Sequence, residues 1–97
     1  MWGFILNVIT VYVIQSLKDG TWYTGMAKDV ALRLKDHNSG RNRFTKGHLP
    51  WKIIYTEQHP SWAEARVREK YLKSAAGKIS VKKFLQQHGG KTGSLPA

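Results

Sequence analysis

Two tyrosines, an arginine, a histidine and one acidic residue are the side chains of this sequence whose types and spacing suit chemistry. Tyr12 lies in Val11-Tyr12-Val13 and Tyr23 in Tyr23-Thr24-Gly25; Arg33 and His37 follow four residues apart, and Glu69 comes later. Phenols can move a proton or orient a water, and a guanidinium can neutralise a phosphoryl oxygen. An imidazole can relay a proton, and a carboxylate can hold a hard divalent cation. Together they suggest a metal-assisted attack on a phosphodiester rather than a passive binding surface.

Positioning these groups requires particular elements. Val11-Tyr12-Val13-Ile14 is β-branched and aromatic, which favours a strand. Lys18-Asp19-Gly20 supplies a turn, and Trp22-Tyr23-Thr24 returns as a second strand that Gly25 ends. The two tyrosines then sit on the arms of one hairpin, and their rings can converge if the register permits. Asp29 caps a helix from Val30 to about His37, stopped by Asn38-Ser39-Gly40. Val30 and Leu34 mark its buried side, and Arg33 and His37 form the adjacent lane. No acidic residue shares that lane, so Arg33 is expected to have no local salt-bridge partner.

Residues 40–50 are polar, basic and turn-rich. Arg41, Arg43 and Lys46 suit phosphate contacts and Phe44 suits stacking on a base, although a solvated loop would read the same way. Trp51 to Thr56 forms a third strand. Ser61-Trp62-Ala63-Glu64 matches a capping box, which gives Glu64 a structural task. The helix it opens runs to about Ser74, Gly77 breaks the chain, and Lys78 to about His88 forms a last helix. Along the capped helix, Trp62, Ala65, Glu69, Leu72 and Ala76 keep the spacing of a core-facing lane. Glu69 is thus a carboxylate among apolar positions and needs a cation. Either a basic neighbour such as Arg66 or Lys73 serves, or a divalent metal does. Trp51 and Trp62 read as core residues, and His48, His59 and His88 as structural or solvated.

The composition frames these motifs. The chain has 97 residues, with 16 Lys+Arg against 6 Asp+Glu and a formal net charge of +10. Such a length implies one domain, and such an excess attracts polyanions, nucleic acid first. The absence of cysteine excludes disulfides and thiolate zinc sites and fits a reducing cytoplasm. The apolar start is too short for a membrane span, which needs about 20 residues, and lacks the marks of a signal peptide. Residues 1–7 read as an extension that packs or pairs and, through Trp2 to Leu6, as a potential interface between copies. Residues 89–97 read as a flexible tail, leaving a domain over 1–88 with its core at about 10–86.

Five motifs in this order resemble the GIY-YIG nuclease family: the two tyrosine tripeptides, the helix Asp29 to Gly40, Thr45 with Pro50-Trp51, and Glu64-Ala65 with Arg68 to Ser74. The resemblance covers roughly Tyr12 to Leu85 and points to the small stand-alone bacterial branch. That branch is similar to the nuclease domain of the excision-repair endonuclease subunit. Val replaces Gly and Ile in the first tripeptide and Thr24 replaces Ile in the second, changes that concern packing. A polar residue common near the family's metal has no assigned counterpart here.

The resemblance implies an α+β fold, with a small three-stranded antiparallel sheet flanked by three helices. It implies a divalent-metal-dependent DNA endonuclease acting in repair or on DNA structure, with little sequence specificity. Tyr12, Tyr23, Arg33, His37 and Glu69 would form its catalytic face. Glu69 would hold Mg²⁺ or Mn²⁺ and Arg33 would meet the phosphate. Tyr12 would act as base and Tyr23 as orienting residue, or the reverse, while His37 assists proton transfer or positions the phosphate. Arg41, Arg43, Lys46, Lys70 and Lys73 would track the backbone of single-stranded or branched DNA. Neither a membrane nor a small-molecule cofactor is expected, and the oligomeric state is left open. The alternative is a nucleic-acid-binding module with a degenerate site.

Overall fold

In a computed structural model, the structure describes residues 8–88. The readings of residues 1–7 and 89–97 lie outside them. β1 (Ile9–Ser16) is central, flanked antiparallel by β2 (Trp22–Ala27) and β3 (Trp51–His59) in the order β2-β1-β3. α1 (Val30–Asn38) follows β2, and α2 (Trp62–Lys73) and α3 (Ala75–Gln87) follow β3. This is the expected sheet and helix set.

Both faces of β1 are covered, which explains why its sequence is apolar throughout instead of alternating. Ile9, Val11 and Val13 pack with Ile54 against Ala65 and Leu72 of α2 and Val81 of α3. The opposite face carries Tyr12 and Ile14 with Ala27 and Trp51, against Val30 and Leu34 of α1. The family departures Val11, Val13 and Thr24 are all buried, as packing positions should be. A register shift between Val13 and Ile14 lets β3 place Tyr55 opposite Val13 and Ile53 opposite Ile14.

Several local expectations need correction. Gly25 does not end its strand but lies inside β2, paired with Tyr12. Gly77 does not break a helix. It lies in the first turn of α3, where a Cβ would sit 2.0 Å from the Tyr71 carbonyl oxygen and 2.6 Å from Leu72 Cα. The break falls at Ser74, whose extended backbone ends α2 and whose hydroxyl accepts from Gly77 N at 3.1 Å to start α3. Trp62 is 48% exposed and not core, because the α2 stripe facing the sheet narrows to Ala65 and Leu72. The Ser61 hydroxyl accepts from Glu64 N as a capping box requires, while Glu64 itself is exposed.

A buried ion pair fastens α2 to β3. Glu57 is 6% exposed and accepts from Arg68 at 2.6 and 2.9 Å, from Tyr55 at 2.7 Å, and lies 2.7 Å from His59 Nε2. Burial pushes its carboxyl up, but these bonds outweigh it and hold the pKa down at about 2. His59 is therefore structural, as is His48, which pairs with Asp19 in the β1–β2 turn.

Candidate active site

The hairpin register decides whether the tyrosines meet. Tyr12 pairs with Gly25 and Ile14 with Tyr23, so the two phenols are diagonal neighbours on one face of the sheet. Gly25 makes room for the first of them. A Cβ there would lie 2.5 Å from the Tyr12 hydroxyl and 2.8 Å from its Cζ, so the ring lies across a position that only glycine leaves open.

His37 joins the pair from above. Asp29 starts α1 by accepting from Leu32 N at 3.0 Å, and Gly40, at φ +82°, turns the chain at its end. Asn38 clamps that end to β3, its side-chain amide bonding Trp51 N at 2.7 Å and Trp51 O at 3.1 Å. His37 is thereby driven inward to 1% exposure, deeper than the apolar Val30 and Leu34 beside it. Its Nε2 lies 3.0 Å from the Tyr12 hydroxyl and its Nδ1 2.9 Å from Thr45 Oγ1. Tyr23 packs edge-on against the same imidazole, ring centroids 5.0 Å apart, and against Trp51 at 6.5 Å. Thr45, fully buried and holding the Trp51 indole through its carbonyl at 2.9 Å, belongs to this cluster. Position alone had not marked it: a threonine in a basic loop carries no sign of burial.

Arg33 sits one turn before His37, its side chain 48% exposed. Contrary to the sequence expectation it has an acidic neighbour, Asp36, three residues on, at 3.9 Å on the helix surface. A contact that long and exposed holds the guanidinium weakly. Arg33 also borders a groove of about 670 Å³ along α1 with Lys28, Lys35 and Arg41. Arg41, Arg43, Lys46, Lys70 and Lys73 are all exposed.

Burial and neighbouring charge shift two groups of the cluster. Burial pushes the Tyr12 phenol up to about 12; the neighbouring Arg33 lowers it, while the charges of Tyr23 and Glu69 raise it. Glu69 itself lies on α2, which packs against the other face of the sheet. His37 is pushed below its ordinary value by burial and then by Arg33, with Asp36 opposing, so its ring is neutral near neutral pH.

Glu69 is only 17% exposed in its side chain and pairs with Lys73 at 3.3 Å. Among the described residues it is not joined by two further His, Asp or Glu side chains that could complete a metal cage. The donor set still fits one kind of ion: a hard cation that accepts a single carboxylate and fills its other positions with water and phosphate oxygens. Such an ion must compete with Lys73, which also borders a cavity of about 180 Å³ with Trp22, Tyr23, Thr24 and Lys78. No helix among the described residues is long and apolar enough to cross a membrane.

Comparison with known proteins places the chain in a family. Residues 8–88 match the GIY-YIG catalytic domain. A UPF0213 protein of Halalkalibacterium halodurans is 43% identical over 56 residues, which cover 57% of this chain and 58% of that one. A UPF0213 protein of Streptococcus agalactiae is 35% identical over 79 residues, covering 80% and 88% of the two chains. The solution NMR structure of a UPF0213 protein from Bacillus halodurans superposes with a TM-score of 0.52 at 33% identity, over 87% of this chain and 88% of that one. A hairpin with converging tyrosines, an arginine helix and an acidic second helix thus come with a match across the whole described region, and the chain belongs to the GIY-YIG nuclease family.

Proposed function

We propose that this protein is a divalent-metal-dependent DNA endonuclease, acting on DNA structure or in repair with little sequence specificity. The observation that carries the reading is that Tyr12 and Tyr23 lie on one face of the hairpin around the buried His37, with Arg33 one turn earlier on the same helix. A basic chain of net charge +10 supplies the attraction for the substrate. The absence of cysteine suits the cytoplasm, where such DNA is found.

Glu69 would hold Mg²⁺ or Mn²⁺, which when bound would polarise the scissile phosphate and stabilise the leaving oxygen. Arg33 binds the non-bridging oxygens as negative charge grows on them. Tyr12 is the base: its phenolate takes one proton from a water, the water oxygen bonds to phosphorus, and the P–O bond to the leaving nucleotide breaks. With a pKa of about 12, only about one Tyr12 in ten thousand is ionised at pH 8 in the free protein. Arg33 is the group of this chain that can lower that value, and a bound cation would add its charge to the same effect. Tyr23 orients the water or the phosphate. His37, neutral and fixed, assists through its hydrogen bond to Tyr12. Arg41, Arg43, Lys46, Lys70 and Lys73 hold the flanking backbone, and the exposed Phe44 offers a stacking surface.

One observation favours a second reading. The Lys73 ammonium on Glu69 already neutralises the carboxylate, as it would in a nucleic-acid-binding module whose metal site had decayed. Incubating the protein with single-stranded, nicked and branched DNA, with Mg²⁺ or Mn²⁺ and with a chelator, separates the two. The endonuclease reading expects cation-dependent products from at least one substrate. Salt-sensitive binding with no products under any condition would favour the module.

A further inference from the structure

The outer edge of β2 carries a feature that the tyrosine cluster leaves unused. A cavity of about 180 Å³ is lined there by Trp22, Tyr23, Thr24, Lys73 and Lys78. Successive residues of a strand point to opposite faces, so Trp22 and Thr24 belong to the α2 side of the sheet and Tyr23 to the His37 side. A cavity that touches all three lies at the strand edge, where the two faces meet. Among the described residues β2 has no strand on that side. The volume is below the roughly 300–1,000 Å³ of pockets that enclose a whole organic ligand, so the space suits one small group.

The cations at this edge are not all explained by the fold. Lys73 is balanced by Glu69 at 3.3 Å. Lys78 takes part in none of the ion pairs among the described residues, which hold all six acidic side chains of the sequence. It is also the fourth residue of α3, where the partial positive charge of the helix end disfavours a cation, and no acidic residue in the first turn offsets it. Lys82 adds a third charge one turn on, 5.9 Å from the Trp22 ring centroid. A lysine placed against its own helix, lining a small cavity with a second lysine, calls for an anion from outside the chain. We propose that the cavity is a phosphate subsite, in which one phosphodiester group of a nucleic-acid strand seats between Lys78 and Lys73. The strand is thereby anchored where the tyrosine face and the Glu69 face of the sheet meet. The choice of anion rests on the reading of the chain as acting on DNA; the position rests on the cavity and on Lys78.

Binding of a labelled single-stranded oligonucleotide in chelator, measured across a salt series, tests the subsite without cleavage. Lys78→Gln is expected to reduce the slope of log affinity against log salt by about 0.7, which is about fivefold in affinity at about 0.1 M salt. Its melting temperature should not fall, because the charge removed stood at the unfavourable helix end. Lys52→Gln removes the same charge from an exposed position of β3, on the opposite edge of the sheet, and should bind within about twofold of wild type. In wild type the amide NMR signals of Tyr23 and Thr24 should shift as oligonucleotide is added. Equal losses in the two variants, or Tyr23 and Thr24 signals that stay in place, would overturn the proposal. No salt-sensitive binding at all would overturn it together with the DNA reading. The expected Lys78→Gln effect in a protein that cuts no DNA would uphold the subsite and remove only the nuclease reading. A protein that cuts DNA, but whose Lys78→Gln form binds as well as Lys52→Gln, would keep that reading and remove the subsite.

Discussion

Replacing Gly25 by alanine should disable the site while leaving the fold standing. The added methyl carbon would lie 2.5 Å from the Tyr12 hydroxyl oxygen, 2.8 Å from Cζ and 3.2 Å from Cε2, and ordinary contact begins at 3.4 Å. The hydroxyl must therefore move by about 0.9 Å, or β2 must part from β1 by a similar amount. Moving away from His37, the phenol would stretch its 3.0 Å hydrogen bond past useful length. The stability cost is one buried hydrogen bond plus a small overpacking, each about 1–3 kcal/mol. A domain with about 5–15 kcal/mol of stability survives that. Catalysis is less forgiving, since a misplacement of about 1 Å costs on the order of a hundredfold in rate. Thermal melting alongside a cleavage time course measures both effects. The expected result is a cooperative melt lowered by several degrees and a rate about a hundredfold down. A Gly25→Ala protein that cuts within about threefold of wild type would refute the placement of Tyr12 over that backbone.

Other consequences concern the frame. Arg68→Ala leaves the Glu57 carboxylate buried without its main partner and should cost about 3 kcal/mol, read as a shift in the denaturation midpoint. Because the Glu57 pKa is held at about 2, below its unfolded value of 4.5, the pair's contribution is complete above about pH 4.5 and lost as pH falls toward 2. Wild type and Glu57→Gln should accordingly converge in melting temperature across that acid window. His37 produces a separate loss at milder acidity. Its folded pKa lies below 6.5, so the unfolded chain takes up a proton that the folded one refuses; stability falls as pH drops below 6.5, and His37→Gln should flatten that slope. Gly77→Ala should fail to fold or lose the α2–α3 junction, seen by circular dichroism, because its Cβ meets fixed backbone at 2.0 Å and not a side chain that can move away.

The motifs that could be read along the chain were those with local causes. The β-branched run of β1, the Asp29 cap and the Gly40 turn each carry their chemistry within a few residues. The two candidate-site tyrosines and Glu69 were legible because their residue types are unusual for their positions. What was hidden depends on contacts across the sheet. Gly25 read as a strand end because nothing local says that the Tyr12 ring crosses it. Gly77 read as a breaker because helix propensity penalises glycine, while the close approach of the α2 backbone that demands it is tertiary. Trp62 read as core from its spacing, yet the buried positions of α2 are Ala65 and Leu72. Thr45 entered through the family resemblance alone, since its partner is His37, eight residues back, and their meeting depends on the clamp between Asn38 and Trp51.

The central claim is that Glu69 serves a cation in cutting DNA and is not merely the partner of Lys73. Cleavage and binding of one labelled branched DNA by wild type and Glu69→Gln, titrated with Mg²⁺ side by side, test it most directly. The account predicts Mg²⁺-dependent products from wild type, a loss of at least about a hundredfold in Glu69→Gln, and binding unchanged within about twofold. Equal cleavage by both proteins, or none by either with equal binding, would contradict it.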